Sequence, residues 1–124
     1  MPGPVVGRIT TRHAFAKLRR ARARGACGVI RASFVPETSP SADAFPQVAY
    51  AIGTKCGPAV LRNRLRRRAR SVVQDEAASL PAGLYLIQVA PGAAQLPRGE
   101  FRSDVTRAIR QATAVHAASR GSAS

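Results

Sequence analysis

One segment concentrates the chemistry of this chain. Residues 55–70 read KCGPAVLRNRLRRRAR, with seven basic side chains and no acidic one. Guanidinium groups grip phosphate through a planar fork and stack on bases, so this chemistry is polyanion binding rather than bond making. At about 100° per residue, Leu61, Leu65, Ala69, Val72 and Val73 fall within roughly one third of a helix circumference. That stripe buries. Arg66, Arg70, Asn63, Arg67 and Arg64 cover the opposite side, with Arg62 and Arg68 near the borders. The next acids, Asp75 and Glu76, come late in the helix, where the macrodipole disfavours them, and do not neutralise the cluster. The missing countercharge is most simply RNA phosphate.

Catalytic side chains are scarce by comparison. His13 and His116 are isolated, acidic residues are few, and no nucleophile–base pair stands at a readable spacing. Cys27 and Cys56 form neither a disulfide framework nor a CxxC metal motif, so a reduced, cytoplasmic compartment is expected. Twenty Lys and Arg against six Asp and Glu give a formal net charge of +14. So large a charge on a small body repels itself and calls for a polyanion. No apolar run approaches the roughly 18 residues that span a bilayer, and the first residues, MPGPVVGRITTR, lack the apolar segment of a signal peptide. No membrane partner is expected.

The elements that must carry this segment follow from local pattern. With 124 residues, one domain is expected over residues 9–115, between a flexible leader at 1–8 and a disordered tail at 116–124. Aromatics make up only 5%, so the core is modest and built from Val, Ile, Leu and a few Phe. A helix is predicted from Thr11, a fitting N-cap, to Arg24, with Gly25 and Gly28 ending it. Val29–Val35 alternates as a half-buried strand, with Ile30, Ala32 and Phe34 on one side and Arg31 and Ser33 on the other. Residues 36–46 read as an exposed loop. Gln47–Gly53 follows as a strand whose second face, Ala49, Ala51 and Gly53, is nearly bare and suits either a close backbone or a packed helix. Pro58 suits the first position of the basic helix, which should run to about Ala78. Leu84–Ala90 reads as a central strand, and a last helix from about Gly99 to Val115 carries Phe101, Val105, Ala108 and Ile109 on one face. The order α-β-β-α-β-α predicts an α+β domain with a small mixed sheet.

With these residues in place, the chain resembles the bacterial ribonuclease P protein family. Lys55, Gly57, Ala59-Val60, Arg62-Asn63-Arg64, Arg66-Arg67 and Arg70 match its Lys-x-Gly-x-Ala-Val-x-Arg-Asn-Arg signature and the basic residues that follow it. The resemblance covers roughly residues 8–112 and is specific only over 55–70. The chain departs from the family pattern at three places. Gly53 and Thr54 stand where a Ser and a further Lys are frequent, Arg68-Ala69 where bulkier apolar residues are common, and Arg19 where a second aromatic often follows Phe15.

The resemblance implies a fold of the ribosomal-protein S5 domain 2 type, with a left-handed β-α-β crossover around the Arg-rich helix, against the usual handedness. It implies a protein that binds a catalytic RNA one to one, while that RNA and its Mg2+ remove the 5′ leader of precursor tRNA. The protein itself holds no cofactor in this picture. Lys55, Arg62, Asn63, Arg64, Arg66, Arg67 and Arg70 would meet the catalytic RNA. Phe15, Arg19, Arg31, Ser33, Ala49 and Ala51 would form the leader cleft, with Phe15 stacking on a base. The residues alone leave Phe15 open between that role and packing beside Leu18. A basic ribosomal or ribosome-assembly protein is the main rival, followed by a DNA-binding protein and a protein nuclease that acts without RNA.

Overall fold

A largely apolar strand, Gly83–Val89, sits at the centre of the sheet and organises the rest. In chain order the strands are β1 (Gly7–Arg8), β2 (Ala23–Cys27), β3 (Ile30–Pro36), β4 (Pro46–Ile52) and β5 (Gly83–Val89). The helices are α1 (Arg12–Arg19), α2 (Ala59–Glu76) and α3 (Arg98–Ala123). The structure is a computed structural model and describes residues 6–37 and 44–123. The sheet order is β1-β4-β5-β3-β2. β1, β4 and β5 run parallel, and β3 and β2 complete the sheet antiparallel. Because β4 and β5 are parallel neighbours, α2 forms the crossover between them.

Strand alternation separates two apolar layers. Ile30, Ala32, Phe34, Val48, Ile52, Tyr85, Ile87 and Val89 point to one face, where α2 and α3 bring Leu65, Ala69, Val72, Val73, Phe101, Val105, Ala108, Ile109 and Ala112. α3 lies over β2 and β3, α2 lies over β4, and the two helices touch. Phe34 stacks on Tyr85 with ring centroids 4.6 Å apart, and the Tyr85 hydroxyl donates to the Pro81 carbonyl at 2.6 Å. The opposite face holds a smaller cluster of Ile9, Leu18 and Ala49 under α1, with Val35, Leu84 and Leu86 around it.

Several predicted boundaries change, each for a tertiary reason. Thr11 does cap α1, its hydroxyl accepting from the Ala14 N–H at 3.2 Å, but the helix ends at Arg19 rather than Arg24. The Arg24 side chain turns back and donates to the carbonyls of Ala21 at 2.9 Å and Arg19 at 3.0 Å. Ala23 and Arg24, predicted as helix, instead join residues 25–27 in a strand that pairs with β3, from Ala23 opposite Phe34 to Cys27 opposite Ile30. Their alternation of buried Ala23 and Gly25 with exposed Arg24 and Ala26 is that of a strand.

The leader predicted for residues 1–8 is not wholly unstructured, because Gly7 and Arg8 pair with Gln47 and Val48 as β1. Residues 1–5 and most of the loop predicted over 36–46 lie outside the described residues. Pro58 precedes α2 instead of opening it, with an extended ψ of 166° and a carbonyl that accepts the Arg62 N–H at 3.0 Å. The tail predicted as disordered is helical through Ala123. The half-buried His116 ring meets Phe34 edge-on at 5.4 Å, which carries the packed part of α3 past Val115.

Candidate nucleic-acid interface

The predicted stripe of α2 is buried except at its first residue: Leu65, Ala69, Val72 and Val73 are at most 2% exposed, while Leu61 is half-buried. Burying that stripe forces the arginines outward. Gly57 makes the approach possible, since its φ of 130° lies in a region that side chains disfavour. Ahead of it Lys55 is exposed in a short 3-10 turn, Thr54–Cys56, which the Cys56 thiol anchors by donating to the Val89 carbonyl at 3.3 Å. Arg62 is half-buried and donates from Nε to the Gly57 carbonyl at 3.1 Å, so this guanidinium helps hold the turn. Asn63 accepts from Arg66 Nη1 at 2.9 Å and thereby orients it.

Neither late acid of α2 reaches back to these arginines. Asp75 pairs with Arg102 at 2.8 Å and Glu76 with Arg110 at 3.4 Å, both on α3. Both partners are arginines of α3, so these acids leave the arginines along α2 without a countercharge from their own helix.

One flank of α2 meets α1 across the outer edge of β4, where β1 has already ended. A groove of about 520 Å³ lies there, lined by Phe15, Ala49, Tyr50, Arg66, Arg70 and Gln74. Arg8 and Ile9 close it from the β1 side. Phe15 is 38% exposed while Leu18, one turn on, is 1% exposed, so Phe15 presents its ring to the groove and Leu18 fills the core. Burial pushes the Tyr50 phenol up to about 12, and the Arg70 guanidinium draws it partly back. Tyr50 therefore stays neutral at physiological pH and offers a donor hydroxyl beside two cations.

The other residues expected in the cleft separate by position. Ala51 and Arg31 both stand opposite Gln88 in one exposed row of the sheet. Ala49 and Ser33 occupy the next row, opposite Leu86, and are 8% and 6% exposed. Ala49 therefore serves as a helix-packing position, and Ala51 remains open. Arg19 is exposed at the end of α1 and does not line the groove. Tyr50, Arg8 and Gln74 line the groove without having been expected there from the sequence. Gln74 follows Arg66 and Arg70 at intervals of four, and that spacing places it on the same flank. Tyr50 reads as core by alternation, and nothing local marks Arg8.

The raised phenols have a measurable consequence. Tyr85 is also pushed up by burial. Unfolding restores the ordinary value of 10.0, so between about pH 10 and 12 the unfolded chain binds fewer protons than the folded one. Stability is expected to fall as pH rises through that window. Tyr50→Phe should flatten part of the fall in urea titrations at several alkaline pH values.

Among the described residues no helix is long and apolar enough to cross a membrane. No group of three or more His, Cys, Asp or Glu is placed to hold a metal ion, again among the described residues. His13 is exposed on α1, and His116 is engaged with Phe34.

Comparisons with known proteins bear on this geometry. A sequence model of the family Ribonuclease P matches residues 4–113. The ribonuclease P protein component of Thermobifida fusca is 35% identical over 100 residues, covering 77% of this chain and 68% of that relative. That of Streptomyces avermitilis is 28% identical over 114 residues, covering 87% and 93%. Among solved structures, a mutant RNase P protein from Staphylococcus aureus superposes with a TM-score of 0.76 at 15% identity, covering 86% of this chain and 87% of that one. The RNase P protein of Thermotoga maritima gives 0.67 at 14% identity, covering 80% and 91%. These two likenesses establish the shared fold, and the match over nearly all the described domain establishes the kinship: this chain belongs to the ribonuclease P protein family.

Proposed function

We propose that this chain is the protein subunit of a ribonuclease P holoenzyme, in which it docks on the catalytic RNA and holds the 5′ leader of precursor tRNA for endonucleolytic removal. One observation carries the reading beyond family membership. The exposed Phe15 ring, the neutral Tyr50 phenol and the Arg66 and Arg70 guanidiniums face a single groove. A ring that takes a base, flanked by forks that take phosphates, is what an unpaired RNA strand requires. From this groove the leader would pass over the open sheet row of Ala51, Gln88 and Arg31. The crest of α2, with Asn63 and Arg67 outermost, would meet the catalytic RNA. Family membership supports the partnership with ribonuclease P RNA. Precursor tRNA, one-to-one stoichiometry and a cytoplasmic setting belong to the proposal.

In this reading the bond is broken by RNA and Mg2+. The protein's donor set does not suit a divalent cation, because guanidiniums dominate both flanks of α2 and repel it. The two carboxylates of α2, Asp75 and Glu76, are engaged by Arg102 and Arg110. Mg2+ takes oxygen ligands and keeps much of its water, and the RNA phosphates supply those oxygens. The protein's contribution is positioning and charge.

The decisive test is reconstitution at low magnesium with the cognate RNA. Purified protein should restore precursor-tRNA cleavage, and a failure to stimulate would remove the proposal in favour of a ribosomal or assembly role. A second measurement concerns the crest. Arg67→Ala should weaken catalytic-RNA binding and reduce its salt slope by roughly 0.7–0.9 for each phosphate no longer neutralised. An unchanged slope would show that this side chain is merely solvated.

A further inference from the structure

The second flank of α2 meets the start of α3, and a groove of about 560 Å³ lies between them. Arg64, Arg67 and Arg68 line it from α2, and Arg98 and Arg102 from α3. Its floor includes Val72 and Phe101, which are 2% and 1% exposed. This site is separate from the groove that contains Phe15, and shares no lining residue with it.

The charge arrangement there works against the free protein. Arg64 and Arg68 are four apart on one helix, and Arg98 and Arg102 four apart on the other; like charges at that interval destabilise a helix. Arg98 also opens α3, at the helix end that carries partial positive charge. Of the five guanidiniums only Arg102 has a carboxylate partner among the described residues, the exposed Asp75 at 2.8 Å. A cleft lined by one sign of charge over an apolar floor focuses its field outward and gathers counterions. Guanidinium forks select phosphate oxygens among anions.

We propose that this groove is a second phosphate-binding site, in which Arg98 and Arg102 of α3 join Arg64, Arg67 and Arg68 to hold the backbone of the catalytic RNA. The inference rests on the ribonuclease P reading and extends the RNA-docking face from one helix to two. It also gives Asp75 a role. By holding Arg102 it partly neutralises the groove in the free protein, and a phosphate must compete with it.

The test measures binding of the full-length protein to its ribonuclease P RNA across a salt series, beside binding of precursor and mature tRNA by the holoenzyme. The double variant Arg98→Ala/Arg102→Ala should bind the catalytic RNA less tightly, with a salt slope shallower by roughly 0.7–0.9 for each phosphate released. The ratio of precursor to mature affinity should stay as in wild type. Asp75→Asn should act in the opposite direction, giving a steeper slope and tighter binding. Misfolding does not produce such a gain, so this variant decides the matter if the double variant fails to fold. Unchanged slopes in either folded variant overturn the proposal and leave the subunit assignment intact. A changed precursor-to-mature ratio with normal catalytic-RNA binding also overturns it, because the groove would then belong to the substrate. Wild-type protein that fails to bind the catalytic RNA overturns both readings.

Discussion

Replacing Phe15 with Ala is expected to weaken precursor-tRNA binding by about 1–3 kcal/mol, the usual worth of one base stacked on an aromatic ring. Mature tRNA, which lacks the leader, should be affected far less. The protein's own stability should scarcely change, because a ring that is 38% exposed adds little to the core. Leu18 supplies the contrast within the same helix. It is 1% exposed and packs with Ile9 and Ala49, so Leu18→Ala should cost about 2–5 kcal/mol of folding stability. Titration of both tRNAs against the holoenzyme, beside urea unfolding of each variant, separates the two roles. Equal losses for precursor and mature tRNA would return Phe15 to packing. So would a large loss of stability.

The second large effect is expected at Gly25. Locally this glycine looks like a helix stop, yet it lies in β2 directly beneath α3. A Cβ built there would collide with the Ala108 carbonyl oxygen and sit 2.7 Å from the Ala112 nitrogen. Both are backbone atoms of a helix and cannot swing aside as a side-chain tip would. Gly25→Val should therefore cost about 1–3 kcal/mol, towards the upper end of what overpacking usually costs. Gly53 is the control, with open space around its Cβ position and an ordinary φ of −77°. Gly53→Ala should be neutral or stabilise by about 0.4–1 kcal/mol, through a less flexible unfolded chain. Urea midpoints measure both variants. A Gly25→Val protein as stable as wild type would mean that α3 does not lie so close on the sheet.

The close approach at Gly25 also explains why the hairpin of β2 and β3 is tied to α3 at its tip. Asp104 accepts from the Val29 N–H at 3.4 Å and from the Cys27 thiol at 3.5 Å, and Gln111 accepts from the Ala26 N–H at 3.0 Å. Three polar links thus hold the end of a strand that the local pattern does not mark as one. Their sequence separations are 75, 77 and 85 residues, far beyond any window of local periodicity.

What the sequence determined by itself is the basic helix: its buried Leu65, Ala69, Val72 and Val73, its outward arginines, and the kind of partner they need. Helical geometry is local, so a period of 3.6 assigns faces without knowledge of what lies opposite. The central position of β5 follows from its apolar run, interrupted only by Gln88, in the same way. Tertiary structure alone decided the rest. Ala23–Cys27 became a strand because β3 offered hydrogen bonds and α3 covered its small residues. Gly7 and Arg8 became β1 because the edge of β4 was free. The division of the arginines was also decided there. Arg66 and Arg70 look towards Phe15, and Arg64 and Arg68 look towards α3, because α2 lies between two neighbours distant in sequence. A helical wheel shows one continuous basic face. Packing against α3 on one side, and the nearness of α1 and the β4 edge on the other, turn it into two grooves, and a groove's shape depends on which elements meet, which no single helix encodes.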